Sequence, residues 1–219
     1  VSVCLIWVVI GSVLDRAEFV DDMRASVLYF ANWHFISEST DYFGESVSPF
    51  AHFWSLAIEE QFYIFWPILV FSLWKFGKRR AVAMGIFATT LLSFTFSLYL
   101  TTVNPIWAFY SLPTRAWELL LGSMLAVLPA AVVVRSVAKR DILCLAGLAG
   151  IFLPVFFYGE QTPFPGLTAL PPCLGTAVLI WANTTPASCV PNQSRFASAL
   201  SWPPIVFIGL ISYSLYLWH

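Results

Sequence analysis

Two adjacent carboxylates, Glu59 and Glu60, interrupt an apolar stretch and are the first residues whose type and setting could do chemistry. A charged side chain at the centre of a membrane helix costs about 2.5–3.5 kcal/mol, so such groups usually face a cavity or a partner. At helical spacing, His52, Ser55 and Tyr63 share one polar stripe with Glu59, which predicts a polar site around it. The alternative, which we favour for Glu60, is an interfacial carboxylate that extends to water beside aromatic residues.

A second polar island holds Arg115 and Glu118, one helical turn apart at the start of another apolar stretch. One interpretation is a local ion pair between the two side chains. The other is that Arg115, a permanently charged fork of donors, orients Glu59 or holds an anionic or hydroxyl-rich substrate. The sequence alone leaves both interpretations open.

The third polar stretch is ISYSLYLWH at 211–219, in which Tyr213 is one of several hydroxyl-bearing residues and His219 is the last. Such hydroxyls commonly bond the backbone or neighbouring helices in a bundle. A neutral imidazole near a carboxylate would suit proton transfer, so His219 is either a site residue or an ordinary loop residue.

The elements that must position these residues are membrane helices. The chain has 219 residues, of which 59% are hydrophobic and only 11% charged, a composition that a water-soluble domain does not need. Crossing a bilayer takes about 20 apolar residues per helix. We therefore predict an all-α, polytopic transmembrane bundle that forms a single domain over 1–219, with about seven spans. The candidate spans are 1–14, 53–74, 81–101, 116–134, 142–158, 168–182 and 203–218, and 25–36 is predicted as an interfacial or re-entrant helix.

The basic residues orient this bundle. Seven of the 11 lysines and arginines lie in two short loops, at 75–80 and 135–140, and the positive-inside rule makes the face that carries both loops cytoplasmic. Two other connections, LTTVNPIWAFYSLPT at 100–114 and YGEQTPFPG at 158–166, carry no Lys or Arg and are predicted to lie outside. Four ionisable residues then lie near the outer surface: Glu59, Arg115, Glu118 and His219.

Composition also argues against several functions. A net charge of −1, with its basic residues confined to loops, gives no basic face for nucleic acid. The cysteines show no CxxC or Cys/His ligand spacing, so we predict neither a metal site nor a disulfide framework and regard them as packing residues. They are Cys4, Cys144, Cys173 and Cys189.

Three strings of this sequence resemble the signatures of the acyltransferase-3 family, whose members O-acetylate lipopolysaccharide, peptidoglycan and other surface glycans. The first, W-S-L-x-x-E-x-x-x-Y-x-x-x-P, is met at Trp54, Ser55, Leu56, Glu59, Tyr63 and Pro67. The second, R-A-W-E-L-L-x-G, occupies 115–122, and the third is the ISYSLYLWH string. Weaker similarities, in YFANWHF and PGLTALPPCLGTAVLIWAN, extend the resemblance over nearly the whole chain in the expected order.

The resemblance implies a multi-pass protein of the bacterial inner membrane that takes an acetyl group from cytoplasmic acetyl-CoA and passes it to a glycan hydroxyl on the periplasmic side. The family's essential histidine and an arginine-rich segment associated with the donor belong upstream of residue 1. We therefore expect this chain to be an internal fragment, without the first helices and the C-terminal end, and inactive by itself.

Within that framework Glu59 would orient or assist the upstream histidine, and Arg115 would steady Glu59 or the acceptor. The predicted acceptor-side residues are His52, Trp54, Ser55, Tyr63, Glu118, Tyr213 and His219. The main alternative is a transporter or flippase for a glycan or lipid-linked precursor, since buried charges also mark transport paths, although no repeated hydropathy halves are apparent. A purely structural membrane subunit would leave Glu59 and Arg115 without a role.

Overall fold

The computed structural model describes residues 13–40, 42, 48–127, 134, 136–159, 162–184 and 195–218, with side chains from Phe19 onward. Helices and their connections make up all of these residues, so the predicted all-α class is confirmed. The helices are α1 (Val13–Val27), α2 (Ala31–Ser37), α3 (Phe53–Val103), α4 (Pro105–Tyr110), α5 (Leu112–Val127), α6 (Val137–Phe157), α7 (Leu170–Asn183), α8 (Arg195–Leu200) and α9 (Pro203–Trp218), with a 3-10 turn at Gly166–Ala169 before α7.

Helix α3 contains two of the predicted spans. Its 51 residues are broken by non-helical backbone at Gly77 and at Lys78, where φ is 53°. The limbs on either side fold against each other, because a Cβ added at Gly85 would lie 2.3 Å from Cδ1 of Leu73. The predicted spans 53–74 and 81–101 are therefore the two limbs of a hairpin, with the basic loop at its tip.

Within the part of the chain that the structure describes, three helical segments are long and apolar enough to cross a membrane: Phe53–Val103, Val137–Phe157 and Gly166–Asn183. They contain the predicted spans at 53–74, 81–101 and 168–182, and all but the last residue of the span at 142–158. Helix α5 begins at Leu112, ahead of the predicted start at 116, and is described as far as Val127. Helix α9 matches the prediction at 203–218, but its 16 residues rise only about 24 Å. The predicted span 1–14 lies almost wholly outside the described residues.

The prediction of one helix over 25–36 is wrong, because the chain turns inside it. The amide of Phe30 donates to the carbonyl of Ala25 and the amide of Tyr29 to that of Ser26, which is the Schellman pattern of a helix C-terminus. The left-handed residue that this pattern needs is Tyr29, with φ 55°. Helix α1 therefore ends at Val27 and α2 begins at Ala31.

A polar network attaches this turn to the start of α3. The Gln61 side chain donates to the Tyr29 carbonyl at 3.1 Å and to Oδ1 of Asn32 at 2.9 Å. Asn32, which is fully buried, donates in turn to the Tyr110 carbonyl at 3.1 Å. The apolar core beside the network joins α2, α3 and α4 through buried residues that include Phe35, Trp54 and Tyr110. These contacts hold the α1–α2 pair, which we call the cap, against one end of the bundle.

At the far side of the bundle, α6 and α7 pack with their backbones almost touching. A Cβ at Gly147 would lie 2.7 Å from the Gly175 carbonyl oxygen, and one at Gly175 would lie 2.6 Å from the Gly147 oxygen. Small residues allow this approach between membrane helices, where van der Waals contact drives association. The α6–α7 pair is tightly packed, and α7 also contacts α5, the helix that carries Arg115.

The first basic loop of the sequence lies against the end of α5 that is farther from Arg115. Nη2 of Arg79, in the first loop, donates to the Val127 carbonyl at 3.4 Å. Val127 is the last described residue of α5, and the second basic loop follows it in the sequence. The candidate site therefore lies at the opposite end, where α3 and α5 begin.

Candidate active site

A cavity of about 100 Å³ opens between the start of α3 and the start of α5. It brings together three of the predicted site residues from separate stretches of the sequence: Glu59, Arg115 and Glu118. The remaining lining residues are Trp54, Ser55, Ile58 and Leu119. Carboxylates and a guanidinium thus share one small cavity, and of the predicted polar stripe on α3 only Ser55 and Glu59 line it.

Arg115 is held by its local partner and by aromatic rings. Its Nη2 lies 3.2 Å from Oε2 of Glu118, and the two side chains are only 14% and 17% exposed. The guanidinium carbon lies 5.3 Å from the ring centre of Trp54, 5.8 Å from that of Phe109 and 4.9 Å from that of Phe164. Cation–π contact with three rings fixes the plane of the fork. The local ion pair is therefore real.

The ion pair does not exhaust the hydrogen-bonding capacity of its members. Nη1 of Arg115 and Oε1 of Glu118 are buried and have no hydrogen-bond partner among the described residues. A buried polar group without a partner costs free energy, and more so when it is charged. One donor and one acceptor are thus available at the cavity for polar groups of a ligand, which is what the second interpretation of Arg115 requires.

Hydrogen bonds hold the start of α5, which carries Arg115, against the second limb of α3. Oγ of Ser93 donates to the Pro113 carbonyl at 2.6 Å and accepts from the Trp117 amide at 2.9 Å. Oγ1 of Thr114, fully buried, bonds the Ala108 carbonyl at 2.8 Å. Ser93 thus bridges the carbonyl and the amide of the first turn of α5, and Thr114 satisfies a carbonyl at the end of α4. Together these bonds set the direction in which Arg115 projects.

Helix α9 reaches the same place through Tyr216. Its phenol donates to the His52 carbonyl and is hydrogen-bonded to the Ser55 hydroxyl, while its ring stands edge-on to the His52 ring at 5.4 Å. Beside it lies a cleft of about 370 Å³. The cleft is lined by Ser55, Leu56, Glu59, Ser212, Tyr213 and Tyr216.

Glu59 stands between the two cavities, since it and Ser55 line both. Glu59 is an exposed residue. Among the described ion pairs, Arg115 bonds Glu118 and not Glu59. Glu59 is therefore a carboxylate with an open approach, close to a guanidinium but not neutralised by it.

The other predicted residues fall in different places. Trp54 is buried and is one of the three rings that contact the Arg115 guanidinium. Tyr213 lines the cleft and is 57% exposed. His52 lines neither cavity itself, but its ring contacts Tyr216, which lines the cleft. Tyr63 is 59% exposed and lines neither cavity. His219 lies outside the described residues.

Three residues of the site were not nominated from the sequence: Tyr216, Phe109 and Phe164. The hydroxyl of Tyr216 was visible in the third string, and its spacing of three from Tyr213 could have indicated a second site residue. Phe109 and Phe164 carry no such signal, because they are aromatic residues in connections that the sequence indicates only as outward-facing.

The described structure is a helical, membrane-type chain that brings Glu59, Arg115 and Glu118 to one cavity. The acyltransferase domain model of the acyltransferase-3 family matches residues 1–219, and the chain belongs to this family.

The relatives narrow the class further. The chain is 32% identical over 210 residues to the O-acetyltransferase OatA of Staphylococcus aureus, covering 90% of this chain and 34% of that protein. It is 33% identical over 241 residues to the peptidoglycan O-acetyltransferase OatA of Listeria monocytogenes, covering 100% and 37%. The putative peptidoglycan O-acetyltransferase YrhL of Bacillus subtilis is also 33% identical, with 98% and 35% covered. The chain thus spans about a third of the length of these relatives. No solved structure matches it.

Proposed function

We propose that this chain is the membrane-embedded part of an O-acetyltransferase that moves an acetyl group onto a hydroxyl of a cell-surface glycan. Family membership and the names of the relatives support this class. Peptidoglycan is the acceptor named for two of them, so we take it ahead of lipopolysaccharide. The observation that carries the proposal is the shared cavity of Glu59, Arg115 and Glu118.

The proposed reaction breaks the thioester C–S bond of acetyl-CoA and forms a C–O bond to the sugar. The hydroxyl loses its proton to a base, and the thiolate leaves towards the cytoplasm and is protonated there. By family resemblance the base or acyl carrier is a histidine upstream of this chain. Glu59, open to the cleft, orients and tunes that imidazole, because a nearby carboxylate favours its charged form.

Arg115 and Glu118 serve the acceptor in this proposal. The Nη1 donor and the Oε1 acceptor, both without described partners, suit one sugar hydroxyl or a hydroxyl and a neighbouring carbonyl. Fixed donors in a cavity that excludes water are effective because they need no reorganisation during the reaction. Tyr213 and Ser55 line the cleft through which the glycan would approach Glu59.

The site would lie at the outer face of the bacterial cytoplasmic membrane, in a multi-pass protein. The support is the position of the basic loops, since Arg79 reaches the end of α5 while Arg115 stands near its start. Acetyl-CoA, the acyl donor, would then approach from the basic side of the bundle, and the glycan acceptor from the opposite side.

The test is Glu59→Gln in the full-length protein, with Glu60→Gln as the matched control one position along the same helix. Mass spectrometry of peptidoglycan from cells that carry each gene counts acetylated sugars, and a membrane immunoblot verifies equal amounts of protein. We expect acetylation to fall to the level of a deletion strain in Glu59→Gln and to stay at the wild-type level in Glu60→Gln. Unchanged acetylation in the deletion strain would favour the transporter, and unchanged acetylation in Glu59→Gln alone would remove Glu59 from the site.

A further inference from the structure

An apolar groove on the first limb of α3 is separate from the acyl-transfer site. Its volume of about 540 Å³ is within the range of sites that take small ligands. The lining residues are Trp66, Pro67, Val70, Phe71 and Trp74. Phe71 is 73% exposed and Trp74 is 55% exposed, so the described helices leave the groove open.

Helical spacing makes the groove one continuous stripe. Trp66, Val70 and Trp74 follow one another at intervals of four residues, and Pro67 and Phe71 form a second row with the same interval. Residues four apart are neighbours on a helix surface, so the two rows run side by side along one face. From Trp66 to Trp74 the stripe extends about 12 Å along the helix axis.

The groove ends at the first basic loop. Lys75 continues the row of Pro67 and Phe71 at the same interval of four residues. The backbone is still helical at this position, because the non-helical residues are Gly77 and Lys78. Lys75 therefore lies on the face that carries the groove, and the rest of the basic loop follows directly from that end.

The positive charge at this end is not balanced by nearby carboxylates. No Asp or Glu occurs in the sequence between Glu60 and Glu118. None of the ion pairs among the described residues includes Lys75, Lys78 or Arg80, and all three residues are exposed. An apolar groove that leads to such a loop is complementary to a molecule with a long apolar chain and an anionic head.

The ordinary belt of interfacial residues does not account for the whole groove. Aromatic and basic residues are common at the ends of membrane helices, which is sufficient to explain Trp74 and Lys75. Trp66 lies two turns further into the predicted span, and its indole is stacked on the Phe62 ring, with the ring centres 5.5 Å apart and 12° between the planes. This stacked pair forms the deep end of the groove.

We propose that the groove and the first basic loop bind one anionic phospholipid of the adjacent leaflet. One acyl chain lies along the groove from Trp74 to Trp66, and the phosphate is held by Lys75, Lys78 and Arg80. Basic pockets beside membrane helices bind anionic headgroups in this way. The groove lies within a predicted span, so its occupant enters from the bilayer, which favours a lipid over a soluble anion.

The first test measures phospholipid binding to the full-length protein in detergent by native mass spectrometry. Phosphatidylglycerol is the anionic lipid, and phosphatidylethanolamine with the same acyl chains is the zwitterionic one. The variant Lys75→Gln/Lys78→Gln removes two charges from the loop. Lys139→Gln/Arg195→Gln, which removes two charges at exposed positions of other helices, is the matched control. Thermal unfolding verifies that each protein is folded.

We expect the wild type to bind phosphatidylglycerol more tightly than phosphatidylethanolamine. An anionic headgroup gains about fivefold in affinity from each basic residue beside it. The variant Lys75→Gln/Lys78→Gln should therefore lose about 25-fold in affinity for phosphatidylglycerol and keep its affinity for phosphatidylethanolamine. The control should bind both lipids as the wild type does.

A second variant, Phe71→Ala, tests the groove and decides the question if the charge variant does not fold. Phe71 is 73% exposed, so its truncation leaves the packing of the bundle intact. Phe87→Ala, on the second limb of α3 and 58% exposed, is the control. Phe71→Ala should weaken the binding of both lipids by the same factor, because their acyl chains are identical, and Phe87→Ala should weaken neither.

Three results would overturn the proposal. The first is equal affinity of the wild type for the two lipids. The second is phosphatidylglycerol binding that stays at the level of the matched control in Lys75→Gln/Lys78→Gln or in Phe71→Ala. The third is displacement of phosphatidylglycerol by free coenzyme A, which would show that the basic loop takes a soluble phosphate ester instead.

Discussion

Removing the guanidinium of Arg115 tests its structural role separately from its proposed role towards a substrate. The Arg115→Met variant leaves Glu118, 17% exposed, as a buried charge whose ion-pair partner at 3.2 Å is gone. Losing one member of a buried pair costs about 3–5 kcal/mol. The three rings around the guanidinium add a cation–π loss of up to about 2 kcal/mol. Because both side chains of the pair retain some solvent exposure, we expect Arg115→Met to lower the free energy of unfolding by about 3 kcal/mol in total.

The double variant Arg115→Met/Glu118→Met distinguishes the two roles. Two well-packed apolar side chains often replace a buried ion pair without loss, so the double variant should regain most of the stability that the single variant loses. Acetylation of peptidoglycan should not return, because the unpartnered Nη1 donor is absent in both variants.

The assay combines thermal unfolding of the purified full-length protein with mass spectrometry of the glycan. Arg115→Lys is the third arm, since it keeps the charge and loses the planar fork. It should retain more stability than Arg115→Met and only a small part of the acetylation. Recovery of acetylation in the double variant would refute the role of Arg115 towards the acceptor and leave a purely structural ion pair.

Two further predictions concern packing. Gly175→Leu should destabilise the protein by about 3 kcal/mol or more, the upper end of overpacking costs, because its Cβ would lie 2.6 Å from the Gly147 oxygen. The monodisperse fraction in detergent chromatography should therefore drop. The control Gly122→Leu, which has open space around its Cβ, should leave that fraction unchanged. Tyr216→Phe removes the phenol bonded to α3 and should cost about 0.5–1.5 kcal/mol in thermal unfolding, and Tyr213→Phe, which is 57% exposed, is the control. Equal effects in either pair would contradict the corresponding contact.

The membrane class and the apolar helices at 53–74, 81–101, 142–158 and 168–182 could be predicted from the sequence alone. The length of an apolar run is a local property, and the thickness of the bilayer translates it directly into the length of a helix. From the position of Lys and Arg, Glu59, Arg115 and Glu118 could also be expected near one surface, before any contact between them was known. The signature strings indicated the family on the same local basis.

Only the tertiary structure decided which side chains complete the site and the cap. Phe109 and Phe164 come from connections that have no periodicity, yet both rings lie over Arg115. The turn at Tyr29 needs a left-handed backbone at a residue that rarely adopts one, so its position was not predictable. Asp22 meets His34 because of that turn. Helical spacing tells which residues share a face, but the residue that a face meets across the chain depends on how the helices pack.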